Sequence, residues 1–232
     1  MKQPSLKKLT QKWEIFKMIK LPLAEQPHFV FQGEGRYAGQ KMLLLRVQGC
    51  TLNCPWCDSK HTWKMPEEKH WIDIDEYLND KVSNKIMITG GQPSLYIEQI
   101  ADLVDAYPEI DFYIEDDGSY DWSDNFNPID KNVYFTFSPK IDNGLQFAQR
   151  NYNYLKNVDL KFVVTSAAAI QEVAHFAETF GIDKDNIWIM PQGETRAELF
   201  SLIDFLCDKT LVYGFNFTIR NHIFIYNKKR YV

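Results

Sequence analysis

Cysteine is scarce in this chain: there are four in 232 residues, and three of them, Cys50, Cys54 and Cys57, crowd into one stretch. Four thiols in a chain this long do not make a disulfide framework. Loops as short as those within 50–57 would strain a disulfide, so reduced thiolates and a reducing compartment are expected. Long apolar runs are absent as well, and nothing approaches the ~20 residues that a membrane-spanning helix requires. The opening segment MKQPSLKKLTQKWEIFKMIK is basic but has no apolar signal-peptide core. These features predict a soluble, cytoplasmic protein with no membrane partner. An excess of positive charge is also lacking. The net charge of -5 argues against broad electrostatic capture of nucleic acid, so no direct nucleic-acid partner is expected, while a local pocket for a small anion stays open.

Apolar material is plentiful: 45% of residues are hydrophobic and 15% aromatic, enough for a large core without a metal staple. After an apolar strand over 41–48, strand-like runs recur at 85–89, 111–115, 133–137, 160–164 and 187–190. Helical patterns occupy SLYIEQIADLVDAY, AAAIQEVAHFAETFG and TRAELFSLIDFLCDK, with a further short helix around Ile74–Leu78. In the second pattern Ala169, Val173, Phe176 and Phe180 share one face, and Gly181 stands where a helix would stop. Short apolar strands separated by helices imply a parallel sheet with covered faces, either doubly wound or barrel-like. The connection DDGSYDWSDNFNPIDKN is polar and reads as loop, so one helix of a strict alternation is missing. With no repeat or flexible linker in sight, the expectation is an α/β fold, a single incomplete parallel α/β barrel with a reduced helix complement. It spans 21–232, and residues 1–20 form a loosely amphipathic N-terminal extension (Leu6, Leu9, Trp13, Phe16).

The three cysteines lie in GCTLNCPWCDSKHTW, with the spacing Cys-x3-Cys-x2-Cys. Three thiolates are one short of the usual four ligands, and Cys207 lies far away in a helical pattern. Two readings follow: a cubane iron–sulfur cluster with one iron open to a small molecule, or a tetrahedral zinc site completed by His61. The position of the loop favours the cluster, because it leaves the end of a buried strand, where α/β proteins place their active sites. Trp56 and Trp63 flank the thiolates. Ser59 is either a turn residue or an oxygen ligand for a hard cation such as Mg²⁺.

The cysteine loop resembles that of the radical S-adenosylmethionine superfamily. More narrowly, FQGEGRYAGQKMLLLRVQGCTLNCPWCDSKHTW is similar to the 7-carboxy-7-deazaguanine synthase family. The similarity is dense over 31–63 and continues through ITGGQP, IEDDG, FSPK, DLKFVV, MPQG and RNHIFIYNKKR. It implies a radical S-adenosylmethionine-type catalytic domain in which Cys50, Cys54 and Cys57 hold a 4Fe–4S cluster and the Ser59 hydroxyl binds Mg²⁺. S-adenosylmethionine is expected to lie against Trp56, Cys57, Asp58, Gly91, Ser138, Pro139, Lys140, Pro191 and Gln192, with Glu115 nearby. The substrate, a carboxylated tetrahydropterin, is expected to meet Phe31, Gln32, Gly33, Glu34, Arg46, Thr89 and His222. Arg46 suits a carboxylate because its guanidinium forks two donors onto it. The family commonly has Glu where this chain has Gln92, whose amide oxygen would accept from the methionine ammonium without charge assistance. Met190 stands where Gln is frequent.

The implied reaction is radical-initiated ring contraction of 6-carboxy-5,6,7,8-tetrahydropterin to 7-carboxy-7-deazaguanine with loss of ammonia, in the biosynthesis of queuosine-type deazapurines. It requires an electron donor such as flavodoxin, and a homodimer is a further expectation. Two rivals share part of the pattern: a small glycyl-radical activase and a zinc-stabilised binding module.

Overall fold

The computed structural model describes residues 18–78, 83–126, 132–141 and 147–227. Its strands are β1 (Lys20–Pro22), β2 (His28–Phe31), β3 (Lys41–Val47), β4 (Trp71–Asp73), β5 (Lys85–Gly90), β6 (Asp111–Asp116), β7 (Val133–Phe137), β8 (Val158–Val164), β9 (Ile187–Pro191) and β10 (Asn216–Phe217). Its α-helices are α1 (Asp75–Leu78), α2 (Ile97–Ala106), α3 (Gln149–Tyr154), α4 (Ala167–Phe180), α5 (Arg196–Tyr213) and α6 (Asn221–Tyr226). The central strands and the helical patterns fall where the sequence placed them. The short pieces β1, β2, β4, β10, α3 and α6 were not foreseen.

Eight strands form one sheet in the order β10-β9-β8-β7-β6-β5-β3-β2. β2 runs antiparallel to β3, and every other neighbouring pair is parallel. The parallel strands follow chain order without reversal, so crossovers of one hand all lie on one face. This rules out the doubly wound alternative, in which the order reverses. The fold is the expected incomplete α/β barrel, with β2 and β10 as its edges. Between β6 and β7, residues 117–126 contain turns and no helix, and 127–131 lie outside the described residues.

Alternation assigns side chains to the two faces. Leu43, Leu45, Ile86, Ile88, Phe112, Ile114, Phe135 and Phe137 point to the outer face. There they join Ile100 and Leu103 of α2, Ile170 and Val173 of α4 and Leu206 of α5 in one core. Each fully buried side chain of this size contributes roughly 1.5–3 kcal/mol. The Ser166 hydroxyl accepts from Ala169 N to start α4, and Gly181 ends it at φ 65, a left-handed conformation that suits glycine. β1 pairs with β4, and Ile19, Leu21 and Leu23 are buried in the same core. Among the described residues the core thus already includes Ile19 of the expected extension, and residues 1–17 lie outside the described residues.

On the inner face Met42, Leu44, Met87 and Tyr113 form a second, smaller cluster with Tyr37 and Tyr134 packed against it. Tyr113 and Tyr134 stack at 4.8 Å, and Tyr37 meets Tyr113 edge-on at 4.7 Å. This aromatic plug fills the amino-terminal half of the inner face. The same alternation places Arg46, Thr89, Glu115 and Lys161 on the carboxyl-terminal half, which is where the cysteine loop emerges.

Candidate active site

β3 ends at Val47 and the chain turns directly into the cysteine loop. Gly49 N donates to Thr62 O at 2.7 Å, the Gln48 amide donates to Lys64 O at 2.7 Å, and the Tyr96 hydroxyl donates to Gln48 O at 2.6 Å. The GGQ turn after β5 presses against this root. A Cβ on Gly91 would lie 2.0 Å from Gly49 O, so only glycine fits there.

Cys54 is buried, and Cys50 and Cys57 are half-buried. Leu52 N donates to Cys50 Sγ at 3.5 Å; Ser59 N and Trp63 Nε1 each donate to Cys57 Sγ at 3.3 Å. Burial pushes the Cys50 and Cys54 thiols up, and repulsion from the other thiols adds to it, while the Lys140 ammonium pulls Cys54 down. A trio of mutually repelling thiols with N–H groups aimed at its sulfurs calls for a positively charged centre. The donor set is sulfur only, which fits an iron–sulfur cluster. Among the described residues no group of three Cys, His, Asp or Glu side chains is drawn together around a single point.

A buried ion-pair network lies beside the loop. Lys161 Nζ contacts Glu34 Oε2 at 2.6 Å and Glu115 Oε2 at 2.9 Å. Arg220 Nε contacts Glu34 Oε1 at 2.9 Å, its terminal nitrogens reach Gly193 O and the Asp58 carboxylate, and His222 lies 3.8 Å from Glu34. Burial alone would raise the Glu34 carboxyl, but Lys161 and then Arg220 outweigh it and hold it well below the usual range. His222 is pushed down by burial, against the pull of Glu34. Glu34, Asp58, Lys161 and Arg220 thus tie the QGEG segment, the cysteine loop, β8 and the C-terminal segment into one unit.

The sequence-derived substrate residues mostly gather here. Gln32 Nε2 donates to Glu115 Oε1 at 2.5 Å, and its oxygen accepts from Glu34 N at 3.1 Å. Gly33 packs so closely on His222 that a Cβ would meet Nδ1 at 2.2 Å. Arg46 sits beside Thr89 in register and donates through Nε to Glu25 at 2.7 Å. Phe31 is not brought into the group, for its residue is 64% exposed on the edge strand. Of the expected cofactor residues, Trp56, Pro139 and Lys140 line one cavity. The Lys140 ammonium donates to the Ser138 hydroxyl at 2.8 Å and is pushed down by burial and by Lys161. Pro191 closes β9, and Gln192 N donates to Val164 O at 3.0 Å. The Ser59 hydroxyl donates to Asp58 at 2.9 Å, a pairing of oxygen donors suited to a hard cation. Lys161 and Arg220 were missed as site residues. A lysine inside the apolar run DLKFVV was a readable signal, since a buried lysine needs an acid; Arg220 gave none.

The QGEG segment also spans the open side of the sheet. Gly33 O accepts from Asn221 N at 2.9 Å and Gly35 N donates to Thr218 Oγ1 at 2.9 Å. Arg36 grips Asp159 at 2.7 Å and lies over the Trp188 ring. Edge β2 is thereby laced to the β8–β10 side without strand pairing.

Among the described residues no helix is long and apolar enough to cross a membrane. The family described as a 4Fe-4S single cluster domain matches residues 31–113, which include all three clustered cysteines. The 7-carboxy-7-deazaguanine synthase of Pyrobaculum aerophilum is 26% identical over 210 residues, covering 86% of this chain and 92% of the relative. That of Hyperthermus butylicus is 23% identical over 209 residues, covering 84% and 88%. The crystal structure of QueE from Escherichia coli superposes with a TM-score of 0.67 at 21% identity, over 88% of this chain and 95% of that one, and so shares its fold. The resemblance carried by the cysteine loop and the QGEG segment is borne out: over most of its length this chain is a homologue of the 7-carboxy-7-deazaguanine synthases.

Proposed function

We propose that this chain is a radical S-adenosylmethionine lyase that converts 6-carboxy-5,6,7,8-tetrahydropterin to 7-carboxy-7-deazaguanine with loss of ammonia. The observation that carries the reading is the three-thiol loop, with N–H groups directed at its sulfurs, opening onto a polar inner face at the carboxyl ends of the strands. Cys50, Cys54 and Cys57 would hold the 4Fe–4S cluster. With S-adenosylmethionine bound, that cluster supplies radical chemistry that no protein side chain offers.

The protein's own residues bind, orient and shield. Arg46, whose Nε is fixed by Glu25, presents its remaining donors to the pterin carboxylate, and Thr89 lies alongside. Gln32, Gly33, Glu34 and His222 receive the flat ring. Glu34 holds its place because Lys161 and Arg220 neutralise it. Trp56, Asp58, Gly91, Ser138, Pro139, Lys140, Pro191 and Gln192 would form the cofactor side, and Ser59 would contribute an oxygen to Mg²⁺, which would orient the substrate carboxylate. Closing this half of the barrel excludes water and competing hydrogen donors. A flavodoxin-like electron donor, a homodimeric assembly and a cytoplasmic location complete the proposal.

The test is anaerobic incubation of the reconstituted chain with S-adenosylmethionine, a reductant, Mg²⁺ and the carboxypterin, with product masses read out. A deazaguanine acid that disappears on replacing any one of Cys50, Cys54 and Cys57 with Ala is the expected result. Iron and acid-labile sulfide near four each per chain support the cluster; one zinc without sulfide refutes it.

A further inference from the structure

Trp63 touches both ends of the cysteine loop. It follows a 3₁₀ turn over Lys60–Thr62, in which the buried Thr62 donates through its hydroxyl to Ser59 O at 2.8 Å. Three consecutive carbonyls, those of Thr62, Trp63 and Lys64, accept from Gly49 N at 2.7 Å, Cys50 N at 3.3 Å and the Gln48 amide at 2.7 Å. The main chain at Trp63 is therefore pinned to the root of the loop. From that anchor the indole Nε1–H is aimed at Cys57 Sγ at 3.3 Å. Leu52 N and Ser59 N also donate to thiol sulfurs, but they are backbone groups; the Trp63 donor belongs to a side chain. A ring packed here for its apolar area alone has no need to present its N–H to sulfur. An indole N–H can only donate, so it favours whichever state of the sulfur carries more negative charge. Adding an electron to a thiolate-bound cluster increases that charge, and hydrogen bonds to the sulfurs are one of the terms that set a cluster's potential. The Lys60 ammonium, 5.8 Å from the centroid of the Trp63 ring, acts in the same direction.

We propose that Trp63 sets the reduction potential of the cluster, raising it through the hydrogen bond from Nε1 to Cys57 Sγ so that the cluster accepts its electron more readily. The inference rests on the iron–sulfur reading of this site. The step is a one-electron reduction of the cluster by the external reductant. Trp63 exchanges neither electron nor proton in it and stays a hydrogen-bond donor throughout.

The test is a potentiometric titration of the anaerobically reconstituted full chain, followed by the paramagnetic resonance signal of the reduced cluster. Trp63→Phe keeps an aromatic ring and removes the donor. It is expected to move the equilibrium about tenfold toward the oxidised cluster, a fall of about 59 mV for one electron. An unchanged or higher potential overturns the inference. Where Trp63→Phe fails to retain a cluster, the same titration on a chain carrying the benzothiophene analogue of tryptophan at position 63 decides, because sulfur there replaces the N–H with the shape kept. The same fall supports the inference and an unmoved potential overturns it. Loss of the cluster from that isostere as well makes the N–H a requirement of assembly rather than of potential, and also overturns it. A wild-type chain that takes up no iron and sulfide removes the functional reading itself, and this inference with it. A wild-type cluster whose potential the variants leave in place sinks the inference alone.

Discussion

Replacing Lys161 with Met should destabilise the chain by about 3 kcal/mol, the lower end of what breaking a buried ion pair costs. Lys161 is 4% exposed and is shared by two carboxylates, Glu34 at 2.6 Å and Glu115 at 2.9 Å. Glu34 keeps Arg220 at 2.9 Å after the change, so its share of the loss is cushioned. Among the described residues Glu115 keeps the Gln32 amide alone and bears most of the penalty. Methionine fills the space of the lysine stem, which limits any cavity contribution. For a chain of this length the loss corresponds to roughly 6–12 °C in Tm.

The assay is equilibrium urea unfolding at pH 7 of wild type, Lys161→Met, Glu115→Gln and the double variant. Neutralising Glu115 in the Lys161→Met background removes the orphaned charge, so the pair should show a coupling of at least about 1 kcal/mol. The pH dependence supplies a check on sign. The folded-state value of Glu34 is depressed, so its contribution is present above the ordinary carboxylate range and is lost as pH falls through the lower folded value. The gap between wild type and Lys161→Met should accordingly narrow as the solution is made more acidic. A single variant within about 0.5 kcal/mol of wild type, or strict additivity in the cycle, would refute the claim that these charges are one unit.

Asp116 supplies a second pH test of opposite sign. Burial, with Asp117 adding to it, raises its carboxyl from 3.8 to about 7, despite donations from Ser94 N, Gly118 N and Trp122 Nε1. Ionising it between about pH 4 and pH 7 subtracts stability, at most about 4 kcal/mol. Asp116→Asn should gain on wild type across that window in urea unfolding; parallel curves would refute the assignment. Arg46→Lys should raise KM for the carboxypterin about tenfold with cluster content unchanged, because an ammonium cannot serve Glu25 and fork onto a carboxylate together. An unchanged KM removes Arg46 from the substrate site. Ser59→Ala should cut Mg²⁺-stimulated turnover at least about tenfold while iron content holds, and an unaltered Mg²⁺ response removes that ligand.

The central strands were legible because strands buried on both faces read as continuous apolar runs, as in Met42–Leu45 and Ile86–Ile88. The helices were legible where one face is apolar and an end is marked, as at Gly181. β10 was not legible: Asn216–Phe217 has no strand signature and exists through its parallel pairing with Trp188 and Ile189. Nor was α3, whose QRNYNY lacks apolar periodicity. In the site, the three thiolates announced themselves by spacing. The network around Glu34 did not, since its bond to Arg220 joins residues 186 positions apart and Asp58 is 162 positions from Arg220. Nothing local in a sequence records such pairings.

The distance of those pairings along the chain also explains why charge, rather than apolar packing, holds this half of the barrel. β2 and β10 are both edges, and among the described residues no strand pairing joins them. The QGEG segment crosses between them, and its glycines leave no side chains to pack: Gly33 has room only for the His222 ring, and Gly35 sits at φ 69. A glycine-rich crossing can be fixed only by its backbone and by the side chains between the glycines. Glu34 and Arg36 do this, one reaching Lys161 and Arg220 and the other Asp159. The segment that resemblance assigns to the substrate is therefore also the closure of the fold. The charges that close it surround the surface where the pterin would lie, so closure and substrate binding draw on the same few ion pairs.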